Sequence, residues 1–215
     1  MATERDPPAP VSNYGRSKLA GERAAEAFAN ELPITIVRPP IVIGPNDYPT
    51  WVLFKPIARR GVHLAPGFSP QYFSFIHVVD LCTGLLSVAQ RGQRLVAAQD
   101  SEGNHAQGRY YVSDEEILTW ADLGRLIAES FGREKCLVVR LPKALVWLGG
   151  GASELVAQLI RRPTIFGRDK VREAIAGSWT CSGAAIREQL GFKPAATLIE
   201  RLRQTVKWYV DEGWL

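Results

Sequence analysis

The chain has 215 residues, 46% hydrophobic and 22% charged, enough to bury a real core, which excludes a disordered chain and a disulfide-stapled miniprotein. Its 26 basic and 22 acidic residues leave a net charge of +4, and the basic cluster Arg161, Arg162, Arg168, Lys170 and Arg172 lies in no recognisable nucleic-acid module. That cluster reads as a solvated face, and no nucleic-acid partner is expected.

The polar, proline-rich start, Met1 to Pro10, reverses the order of a secretory signal. Cys82, Cys136 and Cys181 are widely spaced and suggest neither a disulfide framework nor a metal site, so a cytoplasmic location is expected. A helix is predicted from about Asn13 to Glu31, ending before Pro33, with Ala20, Ala24, Ala27 and Phe28 forming a buried face of small residues. Ile34 to Val37 then reads as a fully buried strand, closed by Arg38-Pro39-Pro40.

A loop around Gly44-Pro45-Asn46-Asp47 precedes an amphipathic stretch from Trp51 to Arg60 and an alternating strand from Tyr72 to His77. A helix from about Val79 to Gln90, a polar surface turn from Asp100 to Gly108 and a strand from Arg109 to Val112 follow. Thr119 and Asp122 resemble a capping box opening a helix that ends near Phe131-Gly132, and Cys136 to Arg140 reads as a strand. From Leu141 onward the pattern is mostly helical. The last helix opens on the box Thr197 and Glu200 and keeps Leu198, Leu202, Val206 and Tyr209 on one face.

Tyr14 and Lys18 carry the sharpest chemical signal. Residues four apart on a helix share a face, so a phenol and an ammonium come together, and a nearby cation favours the phenolate. The pair is then a general acid/base for an alcohol or ketone, or else an ordinary surface pair. No G-x-G-x-x-G and no G-x-x-x-x-G-K-[ST] occurs, so no phosphate cradle is visible.

Three stretches in order, Tyr14-Gly-Arg-Ser-Lys-Leu-Ala-Gly-Glu22, Ile36-Val-Arg-Pro-Pro-Ile-Val-Ile-Gly-Pro45 and Phe75-Ile-His-Val-Val-Asp80, resemble the extended short-chain dehydrogenase/reductase superfamily. Tyr110 to Asp114, Arg187 to Pro194 and Trp208 to Leu215 resemble its NAD-dependent epimerase/dehydratase and 3β-hydroxysteroid dehydrogenase-like branch. The resemblance implies NAD or NADP as cofactor. Tyr14 would exchange the proton with the substrate oxygen, Lys18 would hold the nicotinamide ribose, and the backbone of Pro39, Pro40, Ile41 and Val42 would lie along the nicotinamide. His77 and Asp80 read as structural. The superfamily's catalytic Ser or Thr has no counterpart, Ser12 being too near Tyr14, and its glycine-rich half is missing, so the chain resembles the C-terminal portion of a longer enzyme.

The expected architecture is α/β: the back half of a Rossmann-like NAD(P)-binding domain (1–45 and 73–118) with a smaller, mostly helical substrate-binding lobe (46–72 and 119–215). Phe73-Ser74 stands where many nucleotide-sugar relatives carry Arg-Asp, which moves weight from a sugar nucleotide toward a sterol-like or other uncharged alcohol or ketone. The apolar stretch Ala144 to Ile160 contains Glu154 and three glycines, so no transmembrane segment is expected. A core helix, an apolar substrate wall and peripheral membrane contact all stay open for it. The resemblance also implies a small-molecule substrate and a homodimer through the Tyr14 helix. The alternative is a non-catalytic remnant or binding module using the apolar C-terminal lobe.

Overall fold

Ser12 starts the first helix. Its hydroxyl accepts from the Gly15 amide at 2.9 Å, satisfying one of the free N–H groups at a helix start. The helix α1 then runs Asn13–Glu26 in a computed structural model that describes residues 1–96, 106–162, 164 and 166–215. It stops short of the expected Glu31, unwinding into turns ahead of Pro33, whose ring disfavours helical backbone in the preceding residue.

The inward face of α1 also differs from expectation. Ala20, Ala24, Ala27 and Phe28 are exposed, while Leu19, Glu22, Ala25 and Glu26 turn inward. Charge decides this: Glu22 pairs with Arg38 and Glu26 with Arg109, at 2.5 Å for the second, so the acidic stripe is drawn onto the sheet.

Where one buried strand is expected, two short ones form, β1 (Ile36–Arg38) and β2 (Ile41–Ile43). Pro39 and Pro40 separate them because neither has an amide hydrogen to give a ladder. All three residues of β1 are only half-buried, since its Arg38 lies at the ion-paired junction with α1. After β2, Asp47 caps α2 (Tyr48–Arg60), which ends on Gly61 at φ 64°, a left-handed stop that glycine takes without steric cost.

Next come β3 (Val62–Pro66), β4 (Tyr72–His77), α3 (Val78–Arg91), β5 (Arg109–Tyr111) and β6 (Ile117–Thr119). Then follow α4 (Trp120–Ser130), β7 (Leu137–Leu141), α5 (Lys143–Leu159), α6 (Arg168–Ile175), α7 (Ala184–Leu190) and α8 (Leu198–Asp211). Parallel pairs join β1 to β5, β2 to β4 and β3 to β7, and β6 adds antiparallel to β4. The strand β4 does not alternate as expected. It is buried from Phe73 to His77, because β2 and β6 flank it and Trp179 bridges to Phe73. Residues 100–105 of the expected surface turn lie outside the described residues, and 106–108 form a turn.

Both helix boxes leave a trace. At α8 the reciprocal box of Thr197 and Glu200 is complete. At α4 the Thr119 hydroxyl accepts from the Asp122 amide and donates to its carboxylate.

The larger core cluster packs Ile43, Phe73 and Phe75 against Phe54 and Ile57 of α2, Leu123 and Ile127 of α4, and Leu202 and Tyr209 of α8. It therefore draws on segments from both sides of the expected division at residues 45/46, 72/73 and 118/119. A second cluster joins Ile76, Val88, Tyr110, Val112 and Ile186. The result is an α/β fold with parallel strand pairs followed by a mostly helical C-terminal part.

Candidate active site

Tyr14 sits in the first turn of α1 and is 62% exposed. Lys18, one turn on, places its ammonium 5.3 Å from the centre of the Tyr14 ring. The helical spacing thus brings the phenol and the cation together, as expected, on an accessible face.

What holds this turn is less obvious. The α6 carboxylate of Asp169 accepts from the amides of Asn13 at 3.0 Å and Tyr14 at 3.3 Å, and negative charge at a helix N-terminus is favourable. Glu173, one turn further along α6, accepts from the Ser12 hydroxyl at 2.5 Å. Ser12 is therefore occupied as a cap. Asp169 and Glu173 were hidden within the basic cluster, where Asp169 also pairs with Arg172 and Glu173 with Lys170. Their i, i+4 spacing, which puts two carboxylates on one helix face, is the signal that could have found them.

Pro39 and Pro40 form the link between β1 and β2, and Ile41 and Val42 belong to β2. Among the described residues, no hydrogen bond, ion pair or ring contact joins residues 39–42 to Tyr14 or Lys18. The shared anchor is indirect, through Arg38 at the end of β1 and Glu22 of α1. Beyond β2 the chain is pinned from α8: the Tyr209 hydroxyl donates toward the carbonyls of Gly44 at 3.2 Å and Asp47 at 3.0 Å. Burial, then the nearby Asp47 charge, hold that phenol well above its ordinary range, so Tyr209 is a clamp and not a base. Gly44 is needed there, since a Cβ would stand 2.4 Å from Val78 Cγ1.

His77 and Asp80 occupy structural positions. The His77 ring accepts from the Val79 amide at Nδ1, which leaves Nε2 to donate to Thr205 Oγ1 at 3.1 Å. Burial first, then the Arg201 cation, push its pKa down to about 4, so the ring stays neutral at pH 7. Asp80 accepts both arms of the Arg201 fork, at 2.7 and 2.6 Å, and the Ala195 amide at 3.0 Å. Although burial opposes it, those bonds hold the Asp80 carboxyl below its ordinary value.

A cleft of about 360 Å³ between the N-terminal segment and α1 is lined by Arg5, Glu22, Glu26, Arg38 and Arg109 among others, and does not include Tyr14 or Lys18. Of these, Glu22, Glu26, Arg38 and Arg109 pair with one another across the α1–β1–β5 junction.

Residues 1–100 match the NAD dependent epimerase/dehydratase family. The chain is 31% identical over 207 residues to the ceramide reductase of Caulobacter vibrioides, covering 95% of this chain and 59% of that protein. It is 23% identical over 209 residues to the UDP-glucose 4-epimerase of Vibrio cholerae, covering 94% and 55%. Among solved structures, a dTDP-glucose 4,6-dehydratase from Streptomyces venezuelae with NAD bound superposes with a TM-score of 0.69 at 20% identity, over 100% of this chain and 56% of that one. The matches bear out the family resemblance read from the motifs and the Rossmann-type α/β fold. The chain spans rather less than six-tenths of the length of these curated relatives.

Proposed function

From residues that match the NAD dependent epimerase/dehydratase family, we infer that this chain carries the proton-transfer side of an NAD(P)-dependent oxidoreductase or epimerase acting on an alcohol or ketone. One observation carries the reading: the exposed Tyr14 phenol with the Lys18 ammonium 5.3 Å from its ring, at a helix start clamped by Asp169. Tyr14 gives a proton to, or takes it from, the substrate oxygen. Lys18 favours the phenolate and offers donors to ribose hydroxyls.

The residues present fit one end of a nicotinamide dinucleotide. Two exposed side chains supply donors, and the Pro39-Pro40 link, having no N–H, presents only carbonyls beside the backbone of Ile41 and Val42. When bound, the nicotinamide supplies or takes up the hydride. No glycine-rich turn for a pyrophosphate occurs in the sequence, so the grip these residues provide is weak.

For substrate, an uncharged amphiphilic alcohol or ketone is favoured over a nucleotide sugar. Phe73 is buried against Phe75 and Trp120, and Ser74 exchanges hydrogen bonds with the Cys181 backbone, so neither position offers a cation to a diphosphate. The ceramide reductase among the relatives supports that direction.

Saturation-transfer NMR on the full chain with NADH and with NADPH tests the cofactor assignment. Transfer to the nicotinamide and ribose protons is expected, falling severalfold in Lys18→Met with unchanged circular dichroism. Equal transfer in Lys18→Met, or none in the native chain, overturns the assignment and leaves the binding-module reading.

A further inference from the structure

Among the described residues, the large side chains on the outer face of α5 stand open, and Phe166 approaches it only beside Gly149. Leu145, Leu148, Leu155, Val156 and Leu159 are all at least half exposed, Leu148 at 68% and Leu159 at 75%, and Ile160 continues the face past the helix end. At the α-helical angle per residue these six fall within an arc of roughly 140°, and the other positions inside it, Gly149 and Ala152, carry no polar group. The opposite face supplies the anchorage: Val146 and Gly150 are buried, and Gly150 lets Val171 of α6 approach so closely that a Cβ would lie 2.4 Å from it. The outer stripe is thus not needed to hold the helix in place.

Charge says what covers it. Beyond the C-terminal end of the stripe stand Arg161 and Arg162, both exposed, and among the described residues no ion pair engages either. Lys143 and Arg140 stand exposed at the other end, keeping their charge while donating to the carbonyls of Ile175 and Phe68. The one acid of α5, Glu154, lies off the stripe and faces Arg168. A second copy laid on this face would meet the same cations end to end, whereas an anionic surface complements both ends at once. With 17 residues and no helix long and apolar enough to cross a membrane among those described, α5 suits the interface plane and not a span.

We propose that α5 is a membrane-docking helix that lays its leucine face into the headgroup layer of an anionic bilayer, with Arg161 and Arg162 on the lipid phosphates. Phe166, partly exposed and next to Gly149, adds an aromatic edge to the docking face. The same α6 that backs α5 clamps the Tyr14 turn through Asp169, so docking brings the bilayer within one helix of the reactive phenol. The docking claim rests on α5 alone and stands whether or not Tyr14 is catalytic.

Vesicle flotation of the full chain tests it, using phosphatidylcholine alone and an equal mixture with phosphatidylglycerol. Flotation with the anionic mixture is expected, and little with the neutral lipid. Losing Arg161 and Arg162 should weaken it about fivefold per charge, and raised salt should act in the same direction. Arg161→Gly is a safe variant for the fold, because Arg161 holds a left-handed φ of 51° that glycine adopts freely. Leu148→Glu with Leu155→Glu should reduce binding more than about tenfold while circular dichroism is unchanged, and the milder Leu159→Ser should reduce it in part. Absence of flotation, flotation that ignores the leucine variants, or a concentration-dependent dimer dissolved by those variants in place of lipid binding would each overturn the proposal.

Discussion

At the scale of single residues, Asp80 is a buried carboxylate whose loss should be costly. Its carboxylate is 2% exposed and accepts three charge-assisted or backbone hydrogen bonds, two of them from Arg201, which is itself buried. Removing one partner of a buried pair leaves the other uncompensated, so Asp80→Asn should cost about 3–5 kcal/mol. The measurement is the urea midpoint at constant slope, and a loss below about 1 kcal/mol would mean that solvent reaches Arg201. Ser12→Ala should cost about 1 kcal/mol by removing the cap of α1, with Glu173 losing its donor as well. The Tyr14–Lys18 pair was legible in the sequence because a helix turn is a local object. Its clamp was not, since Asp169 lies 155 residues further along the chain.

At the scale of elements, the packing of α4 on β3 depends on one hydrogen. Gly124 stands in α4 directly over His63 of β3, and a Cβ there would lie 2.3 Å from the imidazole Cδ2. The ring cannot swing away, since its Nε2 donates to the Trp120 carbonyl at 2.9 Å and its face lies near the Trp120 ring. Gly124→Ala, favourable by helix propensity, should therefore destabilise by about 1–3 kcal/mol, seen as a lowered melting temperature. A raised melting temperature would mean that β3 and α4 can slide apart. The helices α4 and α8 announced themselves by period and by the caps Thr119 and Thr197, whereas α5 and α6, which have no side-chain cap, were legible only as a mostly helical stretch. Strands such as β2, β3 and β6 did not. They are three to five residues long, too short for alternation to register, and their pairing is set by partners far along the chain. The alanine stripe of α1 misled for a related reason: periodicity shows which residues share a face, but the ion pairs to Arg38 and Arg109 choose which face turns inward.

At the scale of the whole molecule, the buried titratable groups predict an acid-sensitive fold. His63 and His77 are almost wholly buried, and burial pushes each down to about 4 from an ordinary value near 6.5. The unfolded chain therefore binds more protons than the folded one as pH falls through that window, and stability is lost from about pH 6.5 down to about pH 4. Between pH 7 and pH 5 the loss comes to about 2 kcal/mol for each ring. Asp80, held below its ordinary value in the fold, adds a further loss only at lower pH, as its carboxylate is finally protonated. The two imidazoles join separate parts of the structure, His63 linking β3 to α4 and His77 linking β4 to α8. Their protonation should consequently loosen both packing layers in one cooperative transition. Urea denaturation at pH 7 and pH 5 measures the drop, and His63→Gln, whose amide can still donate to the Trp120 carbonyl without a titrating ring, should remove about half of it. A stability that stays flat over this range, or falls equally in His63→Gln, would mean that the rings are hydrated and that the β3–α4 layer is open to water.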